Sequence, residues 1–161
     1  MNTLSIRPVN LSDDHDISVI HQIYSHSVLH HTASWELSPP DLAEMRQRVQ
    51  KVLEAGYPYF VGEMGGRVVS YTYASSYRPR PGYRFTVENS IYVAPDLHGQ
   101  GLGKQMLGAL IEACRAQGYR QMIAVIGDAE NVASIKLHQA LGFVHVGTFH
   151  NIGYKFDRWL D

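Results

Sequence analysis

The stretch from residue 86 to residue 117 constrains this chain more than any other. It reads Thr-Val-Glu-Asn-Ser-Ile-Tyr-Val-Ala-Pro-Asp-Leu, then His-Gly-Gln-Gly-Leu-Gly-Lys, then a segment striped by Leu102, Met106, Leu107, Leu110, Ile111 and Cys114. Alternation in the first part predicts a strand, and the 3.6-residue stripe in the last predicts a helix that Gly118 closes. Between them a glycine-rich turn must open the helix. The first backbone N–H groups of any helix have no intrahelical acceptor, so they and the positive helix end favour a phosphate or diphosphate there. Gly99, Gly101 and Gly103 carry no side chain, which lets the backbone approach such an anion closely.

Two familiar phosphate binders do not fit this spacing. A P-loop requires Gly-x-x-x-x-Gly-Lys followed by Ser or Thr for magnesium. Here only three residues separate Gly99 from Gly103, and Gln105 follows Lys104. A dinucleotide fingerprint requires Gly-x-Gly-x-x-Gly, which Gly99-x-Gly101-x-Gly103 does not supply. Taken alone, the stretch could also be a plain strand-to-helix turn.

The rest of the chain narrows the class. Its 161 residues, 45% hydrophobic, are expected to form one domain spanning 1–161. Net charge is −1 with both signs interspersed, so no nucleic-acid footprint is expected. A single cysteine, Cys114, excludes an internal disulfide and extends an apolar helix stripe, where packing is the better reading than nucleophilic chemistry. No apolar run approaches the length of a membrane span and no signal-peptide pattern opens the chain, so a soluble, cytoplasmic protein without membrane association is expected.

Taken in order, Leu4, Ile6 and Val9 read as a first strand ended near Pro8. Ser12 or Asp13 can cap a helix with Ile17, Ile20, Ile23, Tyr24 and Val28 on one face. His26 and His30 stand four apart on it; no third ligand follows from spacing, so no metal is expected. Trp35, in the following loop, reads either as packing or as a substrate wall. Ser38-Pro39-Pro40-Asp41 predicts a helix start with Ser38 as cap and prolines in the first turn, carrying Leu42, Met45, Val49, Val52 and Leu53 to Gly56. Strands at 59–61 and 68–73 flank Gly65-Gly66, a hairpin signal. Arg78, Arg80 and Arg84 crowd a proline-rich connection, which is either a solvated turn or a recognition site for a carboxylate or similar oxyanion. On the next strand, predicted over 84–94, period two puts Glu88 on a polar face with Arg84 and Thr86, leading directly into the glycine turn. Met122 to Ile126 is a nearly continuous apolar run, the mark of a central strand covered on both faces. Asn131 can cap a helix ending at Gly142, and Val144, Val146 and Phe149 predict a further strand.

Val-Ala-Pro-Asp-Leu-His-Gly-Gln-Gly-Leu-Gly-Lys resembles the acetyl-CoA diphosphate loop of the GNAT family of N-acetyltransferases, Gln/Arg-x-x-Gly-x-Gly/Ala, with Gly101 and Gly103 matching and His98 standing where Gln or Arg is usual. Asn131 to Phe143 resembles the family's second signature, Asn-x-x-Ala/Ser-x-x-Leu-Tyr-x-x-x-Gly-Phe. Further stretches are similar to the phosphinothricin and methionine sulfoximine N-acetyltransferases: His31 to Glu36, Gly56-Tyr-Pro, Tyr77 to Arg84, Thr86 to Val93, Ala124 to Asp128 and Gly153 to Asp161.

This resemblance implies an α/β fold with a mixed, mostly antiparallel sheet, splayed at the acetyl-CoA site and covered by helices on both faces. It implies a last strand beyond Asp161, acetyl-CoA as co-substrate, a small-molecule amine as acceptor, and a homodimer. It carries a general-base role onto Glu88, acting on the α-amine of a phosphinothricin-like or methionine sulfoximine-like substrate, and places His138 near the thioester sulfur as general acid. CoA contacts fall to His98, Gly99, Gln100, Gly101, Leu102, Gly103 and Lys104, with Asn131 and Ser134 on its arm and a backbone N–H near Tyr92 or Val93 as oxyanion donor. Arg78, Arg80 and Tyr83 match acceptor-binding positions, and Trp35 and Tyr73 are candidate walls. Two rivals stand beside this reading: the same fold acting on another amine, such as a polyamine or a protein N-terminus, and a CoA-binding sensor without catalysis. The basic loop from Arg78 to Arg84 argues against polyamines.

Overall fold

A computed structural model describes residues 3–161. Four strands pair antiparallel with their sequence neighbours: β1 (Ser5–Pro8), β2 (Tyr59–Met64), β3 (Arg67–Ser76) and β4 (Thr86–Val93). A fifth, β5 (Gln121–Ile123), joins β4 in parallel, so the sheet order follows the chain order. The β2–β3 turn uses Gly65 and Gly66 at φ 57° and 80°, the left-handed pair that a two-residue hairpin loop requires.

Alternation along the strands creates two apolar faces. One bears Tyr59, Val61, Val68 and Tyr71, covered by Ile17, Ile20 and Ile23 of α1 (Asp14–His30) and by Met45 and Val49 of α2 (Leu42–Glu54). The other bears Ala74 and Val87, covered by Leu107, Leu110 and Cys114 of α3 (Leu102–Ala116), with Leu137 of α4 (Val132–Gln139) packed alongside. Asp13 caps α1 by accepting from the His15 N–H. Asp16 is fully buried, yet Arg7 grips both its oxygens at 2.7 and 2.8 Å and the Asn10 N–H adds a third bond. Burial alone would raise this carboxyl's pKa; those partners hold it below its ordinary value.

Three expectations are corrected. The cap of α2 is Asp41, which accepts from Glu44 N–H at 2.8 Å, and both prolines precede the helix. Pro40 disfavours helical geometry at Pro39, which opposes a first turn capped by Ser38. The 122–126 run does not become a doubly covered central strand. Its strand stops at Ile123, lies at the sheet edge, and leaves Val125 66% exposed. The 144–149 segment is not a strand among the described residues, and Val144, Val146 and Phe149 stand in solvent. A strand needs a hydrogen-bonded neighbour, and the outer side of β5 carries none among the described residues. The last elements are instead a hairpin, β6 (Gly153–Lys155) against β7 (Arg158–Leu160).

Candidate active site

The sheet splits at Glu88. β4 and β5 pair only over Thr86–Glu88 and Gln121–Ile123, whereas β4 runs on to Val93. Past Glu88 the β5 side of β4 has no strand partner among the described residues, and a groove of about 720 Å³ opens there. Its lining includes Tyr92, Val93, His98, Gly99, Gly101, Leu102, Gly103 and Lys104 on one side and Asn131 and Ser134 of the α4 start on the other. Gln100 is exposed between two of these glycines but does not line the groove. Gly99 and Gly101 hold φ of 79° and 77°, and an added Cβ at either would meet nothing within 4 Å. Glycine is needed there for the left-handed turn, and the open space leaves room for a ligand. Gly101 is the N-cap of α3 and supplies no side-chain cap, so the N–H groups of Leu102, Gly103 and Lys104 have no intrahelical acceptor. A Cβ on Gly103 would come within 3.1 Å of Leu137, so this glycine also lets α4 pack close to α3.

Glu88 sits at the fork, opposite Ser75 of β3 and Ile123 of β5. Its side of β4 continues through Ser90 to Tyr92, which packs on Tyr71 at 5.1 Å and on Tyr24 at 5.4 Å. Burial raises the Glu88 pKa, and the positive charge of Arg78 pulls part of that shift back. Arg78 lies 5.2 Å over the Tyr77 ring, and Tyr77 meets Tyr83 edge-on at 5.6 Å. Arg78 and Arg80 are exposed and take part in no ion pair among the described residues. Tyr73, opposite Ser90, stacks on Tyr59 at 4.8 Å and borders a small cavity of about 60 Å³ with Tyr24 and Arg48.

His138 is buried, 4% exposed, and both ring nitrogens are engaged. Nδ1 donates to the Ser134 carbonyl at 2.7 Å, and Nε2 accepts from the Asn89 amide at 2.9 Å. That pattern selects the neutral ring, and burial lowers its pKa further below the ordinary value, with the Ser134 bond opposing in part.

Residues 20–143 match the Acetyltransferase (GNAT) family. The chain belongs to the GNAT acetyltransferases. It is 50% identical over 153 residues to a phosphinothricin N-acetyltransferase of Alcaligenes faecalis, covering 95% of this chain and 78% of that protein. It is 42% identical over 158 residues to an L-methionine sulfoximine/L-methionine sulfone acetyltransferase of Pseudomonas aeruginosa, covering 98% and 90%. Among solved structures, a GNAT phosphinothricin acetyltransferase from Sinorhizobium meliloti in complex with AcCoA superposes with a TM-score of 0.93 at 45% identity, covering 98% of this chain and 84% of that one.

Within this GNAT frame, the fold gathers the glycine turn, Tyr92, Val93, Asn131 and Ser134 at one groove; Glu88 sits at the fork of β4 and β5, and neither it nor His138, Arg78, Arg80 or Tyr83 lines that groove. Trp35 is placed elsewhere. Its indole lies over Gly127 and Gly153, where a Cβ would come within 2.7 and 2.4 Å, and it lines neither cavity. Three participants escaped the sequence reading. Lys155 is buried and donates to the carbonyls of His31 and Ser34 at 2.8 and 2.6 Å, tying the loop after α1 to the hairpin. Asp128 anchors the same loop through Thr32 and pairs with Arg158 at 2.6 Å. Asn89 left a visible trace: it is the one polar residue in the register Phe85, Val87, Asn89, Ile91, Val93.

Proposed function

We propose that this GNAT enzyme moves the acetyl group of acetyl-CoA to the α-amine of a small amino-acid analogue of the phosphinothricin, methionine sulfoximine or methionine sulfone type. The observation that carries the reading is the fork at Glu88. A diphosphate held by the N–H groups after Gly101 would leave the CoA arm to run along the open edge of β4 toward the fork where Glu88 sits. The relatives' substrates supply the acceptor class.

Only a free amine is nucleophilic, so a proton must leave as the C–N bond forms and the C–S bond breaks. Glu88 takes that proton, directly or through a water; a pKa raised by burial makes its carboxylate a better base than an exposed glutamate. The free edge of β4 near Tyr92 and Val93 offers a backbone N–H to the oxygen that becomes negative. Arg78 and Arg80, exposed beside the fork and without carboxylate partners, suit the acceptor's carboxylate or its tetrahedral polar group, with Tyr83 and Tyr73 nearby. His138 fits an anchoring role better than the proton donation expected from the sequence. Its Nδ1 proton is committed to Ser134, Nε2 faces Asn89, and burial disfavours the imidazolium.

The deciding experiment is a panel of amino acids, their sulfoximine, sulfone and phosphinic analogues, polyamines and peptide N-termini, scored by thiol release from acetyl-CoA. Highest kcat/KM on the analogues supports the proposal. A preference for polyamines or peptides moves the enzyme to another acceptor, and release no faster than the acceptor-free background leaves a CoA-binding sensor. A homodimer belongs to the same proposal, supported by exposed Val144, Val146, Phe149 and Trp159, and light scattering at the mass of a single chain would oppose it.

A further inference from the structure

Four histidines lie in one row along the groove. The ring centroids of His30 and His26 are 4.7 Å apart, those of His26 and His31 5.5 Å, and those of His31 and His98 6.3 Å. The row runs from the last turn of α1 to the glycine turn, and all four residues line the groove. His98 donates from Nε2 to the Val93 carbonyl at 2.9 Å, which leaves Nδ1 free to take a proton. No carboxylate is bonded to any of these rings among the described residues; the one histidine–carboxylate pair is His150 with Asp161.

The other charged groups around the row are mostly positive. Lys104 comes from α3 and Arg158 from β7, both lining the groove, and Lys155 of β6 adds its charge from beneath the loop after α1. The two acids on the lining, Asp128 and Glu130, sit 2.6 and 3.7 Å from Arg158. Asp96 also feels the charge of His98 but is paired with Arg67 at 2.8 Å, so each acid near the row is shared with an arginine. The His31 pKa lies below the ordinary histidine value, mainly because of desolvation, and the like charges of His26, His98, His30 and Lys155 add to the shift. A metal does not account for the row, because no three such side chains converge on one point among the described residues.

We propose that His26, His30, His31 and His98 form a proton-dependent subsite for a phosphate group of CoA, so that cofactor binding takes up protons and tightens as pH falls. This rests on the acetyl-CoA reading above. A bound phosphate brings negative charge to the row and favours the charged over the neutral imidazole. By linkage, affinity then rises between the bound-state and free-state titrations as pH drops, by at most about tenfold per pH unit for each proton taken up.

The test is calorimetric titration of the full chain with CoA from pH 8 to pH 6, in buffers of different ionisation enthalpy, which count protons directly. Tightening of at least about threefold, with net proton uptake, is expected. Protonation of the ligand's own phosphomonoester, with a pKa near about 6, would weaken binding, so it cannot mimic this sign. The combined variant His26→Gln/His30→Gln/His31→Gln, checked by circular dichroism, should flatten the dependence; should it fail to fold, the exposed His30→Gln alone must still reduce proton uptake. Repeating the titration with 3′-dephospho-CoA assigns the group: a retained pH dependence points to the diphosphate, a lost one to the 3′-phosphate. Tight binding with no proton uptake, or an equal pH slope in the variants, overturns the proposal alone. Failure to bind CoA at any pH overturns the acetyl-CoA reading instead.

Discussion

Replacing Glu88 by Gln tests the mechanism at its centre. The change keeps the side chain's length and nearly its volume, and it leaves the backbone pairing with Ser75 and Ile123 intact. What it removes is a proton acceptor. General-base assistance accounts for about 10²–10⁴-fold in rate. That corresponds to about 3–5 kcal/mol of barrier at 1.36 kcal/mol per tenfold. The upper part of the range is expected here, because burial raises the Glu88 pKa and a stronger base contributes more. In the wild-type enzyme kcat/KM is expected to rise as pH increases through the Glu88 titration, which burial places above the ordinary glutamate value. Removing Arg78, whose charge pulls that value down, should move this limb to higher pH in Arg78→Ala. In Glu88→Gln the limb disappears, leaving only the titration of the acceptor amine. The assay is thiol release from acetyl-CoA with a methionine sulfoximine acceptor, alongside calorimetric affinity for acetyl-CoA, which should stay within about threefold because the glycine turn proposed to hold the diphosphate lies beyond the far end of β4 from Glu88. Turnover within about threefold of wild type, or an unchanged acid limb, would refute the argument.

Three further substitutions probe separate parts of the construction. Gly101→Ala forces a side chain into φ 77°, costing about 1–2 kcal/mol, so melting should drop by a few degrees and CoA affinity should fall; unchanged calorimetric affinity would remove the cradle from the site. Asp16→Asn breaks the grip of Arg7 on a buried carboxylate and should cost about 2–4 kcal/mol in urea unfolding at pH 7, the half-exposed Arg7 keeping it below a fully buried pair. Because the folded pKa of Asp16 is depressed, its contribution is present above about pH 4, where the unfolded carboxyl ionises, and fades as pH falls through the lower folded value. The penalty of Asp16→Asn should therefore shrink in unfolding at pH 3. His138→Gln, which keeps a donor and an acceptor, should leave kcat within about fivefold; a loss of about 10²-fold at constant KM would restore proton donation to this residue.

Where interactions were local, the sequence announced them. The α1 cap, narrowed to Ser12 or Asp13, the Gly65-Gly66 hairpin, the Asn131 cap of α4 and the glycine turn each depend on neighbours within a few residues, and each was legible to that degree. The misplaced Ser38 start belongs to the same class and failed on a local competition, since Asp41 offers a better-placed carboxylate and Pro40 opposes the preceding turn. Alternation along β4 identified Glu88 as facing away from the α3 core, although what it faces could not be inferred, because Tyr71, Tyr24 and the α1–α2 layer arrive from elsewhere in the chain.

The two misread strands have a single cause. An apolar run shows that a segment wants cover, but pairing is a property of two segments, and periodicity describes one at a time. Residues 122–126 and 144–149 have the composition of strands, yet β5 keeps only the three residues that β4 reaches before the fork, and the second segment finds no partner among the described residues. The same divergence of β4 from β5 that shortens the strand opens the groove. The site and the misread β5 are thus one structural event: beyond Glu88, among the described residues, backbone groups that a continuous sheet would have paired have no strand partner, and the groove opens along them.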